Sequence, residues 1–169
     1  MLEPSLWAIT TYRLGQACSA ARLRPVRYLL LAVYLPLFAV VTLVTGIYLP
    51  RGARIGGGLR IWHFGGVFLH PDVVLGENCT LRQGVSIGDR WPGQGVPTIG
   101  DDVDVGAGAK ILGPVRVGDR AAIGANAVVL RDVPDGHTAV GVPARILPRR
   151  SAVAGESGAG PVGEAGESR

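Results

Sequence analysis

The sequence predicts a mainly β chain, a left-handed parallel β-helix of hexapeptide repeats preceded by an apolar helical segment, and three observations carry that expectation. Aliphatic residues recur every six positions, at Leu69, Leu75, Leu81 and Ile87 and again at Ile99, Val105, Ile111, Val117, Ile123 and Val129. Compact residues follow four positions later, at Val73, Cys79 and Val85 and then at Val103, Ala109, Val115, Ala121, Ala127 and Val133. The 26 glycines among 169 residues exceed the ordinary share of about 7% and follow no collagen period.

A period of six does not fit the 3.6-residue period of an amphipathic helix. Each hexad instead supplies one flat strand and one turn, so three hexads close a triangular coil with aliphatics stacked inward and small residues at the crowded corners. Glycine after the aliphatic suits corners that need unusual φ or little space. An earlier stretch, Leu49, Ile55 and Ile61, keeps the period in another frame, and two extra residues are absorbed between Ile61 and Leu69. His63 lies in that slip, where a departure from regularity re-aims side chains and marks a place where function overrides it. GDRWPGQGVPT, residues 88 to 98, interrupts the period with glycine and proline and predicts a projecting loop. DGHTAVGVPARILPRR, residues 135 to 150, predicts a last turn and strand that cap the coil.

Three zones follow. Residues 1–48 form an N-terminal helical segment, 49–147 the β-helix, and 148–169 a Gly/Ala/Ser/Glu-rich tail expected to be disordered. Within the first zone, residues 1–27 read as a short amphipathic helix closed by Pro25. Residues 28–49 then run for 22 positions without a charge, enough to cross a bilayer core as one straight helix. Pro36 and Gly46 interrupt it and arginines flank both ends, which favours a kinked hairpin or interfacial insertion over a crossing. Packing against the domain or against sister subunits is the other use for such a run.

The net charge of +4 comes from sixteen arginines and one lysine spread along the chain, with no dense basic block of the kind that binds nucleic acid. Cys18 and Cys79 form no CxxC, metal spacing or disulfide framework, which fits a reducing compartment. No cleavable signal peptide of the usual form is read. The expected location is the cytoplasm, extending to the inner face of its membrane where the apolar run meets lipid.

The run GAGAKILGPVRVGDRAAIGANAVVLRDVPDGHTAVGVPARIL, residues 106 to 147, resembles the C-terminal half of the serine acetyltransferase family of hexapeptide-repeat enzymes. The likeness extends back through GLRIWHFGGVFLHPDVVLGENCTLRQGVSIG and so covers about Leu49 to Leu147. It implies a homotrimer, acetyl-CoA bound in the groove between subunits as the acetyl donor, no metal, and a histidine that deprotonates the acceptor. His63 matches that histidine. Ala107 and Ala125 match positions that line the pantetheine groove, and Lys110 and Arg145 positions that meet CoA phosphates. A hydroxyl is too weak an acid to ionise alone at neutral pH, whereas imidazole, with an ordinary pKa near 6.5, accepts its proton as attack proceeds.

The chain departs from the serine-specific pattern where the family holds an amino acid's charged groups. The aspartate before the histidine is Trp62, the arginine-histidine pair in the loop is Gly95 and Val96, and the acid fifteen positions before the histidine is Tyr48. Trp62, with Trp91 in the loop, suits stacking on a sugar ring. The expected function is therefore acetyl-CoA-dependent O-acetylation of an exopolysaccharide or envelope sugar, with serine O-acetylation for cysteine synthesis as the alternative. His70 and His137 read as ordinary turn residues. The three histidines lack the clustering that a zinc-dependent hydratase on the same coil needs.

Overall fold

A computed structural model of the chain describes residues 4–20, 23–63 and 65–148. Of the 148–169 tail expected to be disordered, Pro148 ends a strand and residues 149–169 lie outside the described residues. The repeat region forms about five coils of a parallel β-helix, each coil contributing one short strand to each of three faces. The first face stacks β1 (Ile47–Tyr48), β4 (Val67–Leu69), β7 (Ser86–Gly88), β10 (Lys110–Leu112) and β13 (Val128–Val129). The second holds β2 (Arg54–Ile55), β5 (Val74–Leu75), β8 (Thr98–Ile99) and β11 (Arg116–Val117), and a bridge from Val117 to Val133 extends it. The third holds β3 (Arg60–Trp62), β6 (Thr80–Arg82), β9 (Asp104–Val105), β12 (Ala122–Ile123) and β14 (His137–Val140), closed by the antiparallel β15 (Arg145–Pro148). This last hairpin is the cap expected from residues 135 to 150.

The hexad aliphatics pair with one another up the coil. Ile55 meets Leu75 and Leu75 meets Ile99 on the second face, and Ile61, Leu81, Val105 and Ile123 align on the third. These and the compact corner residues are buried in one continuous core. Successive side chains on a strand point to opposite sides, so each aliphatic faces inward while its neighbour faces out. The two-residue slip is visible in the ladder: Tyr48 pairs with Phe68, twenty positions on, whereas Phe68 pairs with Ser86, eighteen positions on. The extra residues sit between β3 and β4.

The N-terminal zone differs from its sequence reading in three respects. It is a pair of packed helices, α1 (Pro4–Ala20) and α2 (Arg24–Thr45). Pro25 does not close the first helix but stands in the first turn of the second, where its missing N–H is one that no helix would use and its fixed φ suits the start. The uncharged run is one helix through Pro36 rather than a hairpin in itself, and it ends at Gly46, which takes φ 65 as a left-handed cap. Ile47 and Tyr48, placed in the helical zone from sequence, already belong to the first coil.

Helix α1 closes the open end of the coil. The Tyr12 hydroxyl donates to the Ala53 carbonyl at 2.7 Å and accepts from the Ile55 N–H at 3.1 Å. Gln16 donates to the Arg51 carbonyl at 2.7 Å, and the Arg13 guanidinium to the carbonyls of Ile55 and Gly56. The first coil has no preceding coil to pair with, and its backbone groups would otherwise be left unpaired under the helix.

Candidate active site

Trp62, His63, Gly65 and Gly66 carry the chain around the edge between the third and first faces. Every later coil crosses that edge in the same place, through Gln83 and Gly84, Ala107 and Gly108, and Ala125 and Asn126. Backbone hydrogen bonds tie the turns into a column: Gly84 N–H to the Gly65 carbonyl at 3.0 Å, Gly108 N–H to Gln83 at 2.8 Å, and Asn126 N–H to Ala107 at 2.8 Å. His63, Ala107 and Ala125, far apart in sequence, thus stand on one edge of the prism. Ala107 is half-buried and Ala125 exposed.

Later turns on this edge need one left-handed residue each, Gly84 (φ 76), Gly108 (φ 72) and Asn126 (φ 56). The slip adds His63 itself, with φ 58, to Gly65 and Gly66. A left-handed conformation costs a residue with a Cβ about 1 kcal/mol or more, and such strain concentrates at functional sites. The insertion therefore turns the imidazole outward to solvent, where it is exposed beside Trp62, itself 52% exposed.

A charged pair that the sequence reading passed over borders this turn. Trp62 pairs in register with Arg82, whose guanidinium bonds the Asp104 carboxylate at 2.5 Å. Thr80, two positions before Arg82, is the register partner of Asp104, so the pair is a diagonal contact across neighbouring strands of the kind long side chains reach. The coil register was the signal that could have found it.

The other two histidines stand on the other two edges. His70, between the first and second faces, accepts the Asp72 N–H on Nδ1 at 3.2 Å, with the Asp72 carboxylate 3.7 Å away. His137, entering the third face from the second, holds Nδ1 2.8 Å from the Asp135 carbonyl. Cys79 occupies a core corner with its thiol 3.2 Å from the Gly100 carbonyl, and burial pushes its pKa above the ordinary thiol value, which suits packing rather than nucleophilic attack.

The loop between β7 and β8 projects from the His70 edge. It leans on the next turn, where the Gly113 N–H donates to the Gly88 carbonyl at 2.9 Å and a groove of about 570 Å³ opens between Arg90, Gln94, Pro114 and Arg131. Exposed Trp91 and Trp62 are therefore on different edges, and one chain does not bring them together. Lys110 faces outward on the first face with its ammonium donating to the Gly84 carbonyl at 2.6 Å and the Ser86 hydroxyl at 2.9 Å. Two of its three N–H donors are used within the coil. Arg145 is exposed and opens β15 directly after the last turn of the His63 edge.

Tyr48, at the position of the expected acid, is committed elsewhere. It forms an aromatic series with Phe38 and Tyr34 of α2 and Phe68 of β4, with centroid separations of 5.5, 5.5 and 6.1 Å along the series Tyr34, Phe38, Tyr48, Phe68.

Comparison with known proteins agrees with this architecture. Residues 97–131 match the family described as bacterial transferase hexapeptide (six repeats). The chain is 41% identical over 149 residues to a serine acetyltransferase of Helicobacter pylori, covering 87% of this chain and 83% of the relative. It is 43% identical over 109 residues to a serine acetyltransferase of Synechococcus elongatus, of which it spans 45%. Among solved structures, soybean serine acetyltransferase apoenzyme superposes with a TM-score of 0.75 at 34% identity, over 86% of this chain and 58% of that one. A serine acetyltransferase in complex with CoA gives 0.74 at 32% identity, over 87% and 58%. The Neisseria gonorrhoeae enzyme in complex with serine gives 0.68 at 37%, over 82% and 54%. The chain thus spans about half the length of several of these proteins and most of the Helicobacter one. The coil, the His63 turn and these likenesses together place the chain in the serine acetyltransferase family of hexapeptide-repeat transferases.

Proposed function

We propose that the chain transfers an acetyl group from acetyl-CoA to an acceptor hydroxyl, with His63 as general base. The observation that carries this reading is the column of turns that holds His63, Ala107 and Ala125 on one edge. At about 4.8 Å per coil, the His63 turn and the Ala125 turn are roughly 15 Å apart along that edge. A donor laid along it meets small side chains midway, with its thioester at His63 and its phosphates toward Arg145 and the remaining N–H of Lys110. The acceptor oxygen forms a bond to the thioester carbonyl carbon as its proton passes to the imidazole. The C–S bond then breaks, and the imidazolium returns the proton to the departing CoA sulfur. The separation of the Trp91 loop from the His63 edge favours assembly as a homotrimer, in which a neighbouring copy supplies the loop.

For the acceptor, the comparisons support L-serine better than a sugar, since the curated relatives carry that activity in their names and two solved neighbours hold serine. A sugar hydroxyl is the second reading, favoured by exposed Trp62 beside His63 and by the commitment of Tyr48 to the aromatic series. Release of CoA thiol from acetyl-CoA, followed with L-serine and with nucleotide and lipid-linked sugars, tests both. Turnover of serine supports the first and turnover of sugars alone the second. No acetyl transfer to any hydroxyl acceptor sinks the proposal.

A further inference from the structure

We propose that the α1–α2 pair docks the N-terminal end of the molecule flat on an anionic lipid surface, without crossing it. The 18-residue apolar core of α2 is only 17% buried. Val26, Leu29, Val33, Leu37, Val40 and Val44 form one exposed stripe and Tyr28, Leu35 and Leu43 another, together roughly 200° of the helix at 100° per residue. A seam for one partner helix is a narrower, a/d-only stripe, and an arc this wide fits a continuous apolar medium. Trp7 joins it from α1, beside Val40 and Val44, and Tyr28 stands at the far end, as amphipathic aromatics do at membrane interfaces.

Charge selects the kind of surface. From Pro4 to Pro71 the sequence carries seven arginines and no aspartate or glutamate, whereas twelve of the thirteen acids lie from Asp72 onward. Arg24 and Arg27 are exposed at the start of α2, and exposed Arg51 lies beside Leu35. Such a basic and apolar end complements anionic headgroups over hydrocarbon.

The packing sets the orientation. Phe38, midway along α2 and stacked on Tyr34, is held against Tyr48 of the first coil, and Tyr12, midway along α1, is bonded to Ala53 and Ile55. The pair is pinned to the first coil near its middle, so a crossing α2 would carry polar coil backbone into the bilayer core, which the cost of unpaired groups there forbids.

The test is co-sedimentation of the full chain with vesicles of phosphatidylcholine alone or mixed with phosphatidylglycerol. The proposal expects stronger binding to the mixed vesicles, weakening with salt and release by alkaline carbonate. Arg24→Gln and Arg27→Gln should each weaken binding about fivefold, and Leu43→Glu at least about tenfold, with Tm and acetyl transfer unchanged because these side chains are exposed. Equal binding to both vesicles, resistance to carbonate, or indifference to Leu43→Glu would overturn it. So would failure to bind vesicles together with a self-association that Leu43→Glu dissolves, which would assign the face to a second copy.

Discussion

Tyr48 and Phe68 stack across β1 and β4 with ring centroids 6.1 Å apart and planes 26° from parallel, and Phe38 of α2 completes the contact from outside the coil. The position that the family resemblance reserves for an acid is here an anchor for the helical pair. The proposed base, His63, thus has no carboxylate at that place.

Truncating Phe38 to Ala removes the ring that links α2 to Tyr48 while leaving the coil core untouched. Urea unfolding should show a loss of about 1–2 kcal/mol and a weaker near-ultraviolet circular dichroism signal. Unchanged stability would mean that the stack does not hold α2.

Tyr12→Phe keeps the ring and deletes the hydroxyl that serves both the Ala53 carbonyl and the Ile55 N–H. The Ala53 carbonyl keeps the Gln16 amide at 3.2 Å, but the Ile55 N–H loses its acceptor, and a buried group left unpaired costs about 1–3 kcal/mol, so the thermal midpoint should fall clearly. A neutral result would show that α1 does not seal the coil end.

Two glycines with opposite surroundings test the coil spacing. A Cβ at Gly106 would stand 2.6 Å from the Ala125 nitrogen and 2.8 Å from the Ile123 oxygen, backbone atoms of the next coil, whereas one at Gly57 meets nothing within 4 Å. Gly106→Ala should destabilise by about 2–3 kcal/mol. Gly57→Ala should be neutral or stabilise by about 0.5 kcal/mol. Chemical denaturation of both variants decides.

The coil was legible because its physics repeats: each hexad obeys the same inward and outward alternation, so Leu69 through Val129 announce themselves. The two-residue slip was legible for the same reason, as a break in a known period, and it led to His63. What the sequence left hidden depends on contacts between distant segments. Pro25 reads alike as the end of one helix or the beginning of the next, and only the pairing of α1 with α2 decides. Tyr48 reads as a missing acid until Phe38 is seen against it. Trp62 and Trp91 looked like partners because both are aromatic and near the slip or the loop, yet the loop leaves the coil at another edge. Arg82 and Asp104 meet only once the third face is in register.

The most direct test of the account is acetyl transfer by His63→Ala beside His70→Ala and His137→Ala, each shown to be folded by circular dichroism. Loss of a general base lowers the rate by about 10²–10⁴-fold, and that loss is expected for His63→Ala alone, with the other two variants near the parent activity. Transfer by His63→Ala at the parent rate would contradict the assignment of the base and with it the reading of the turn.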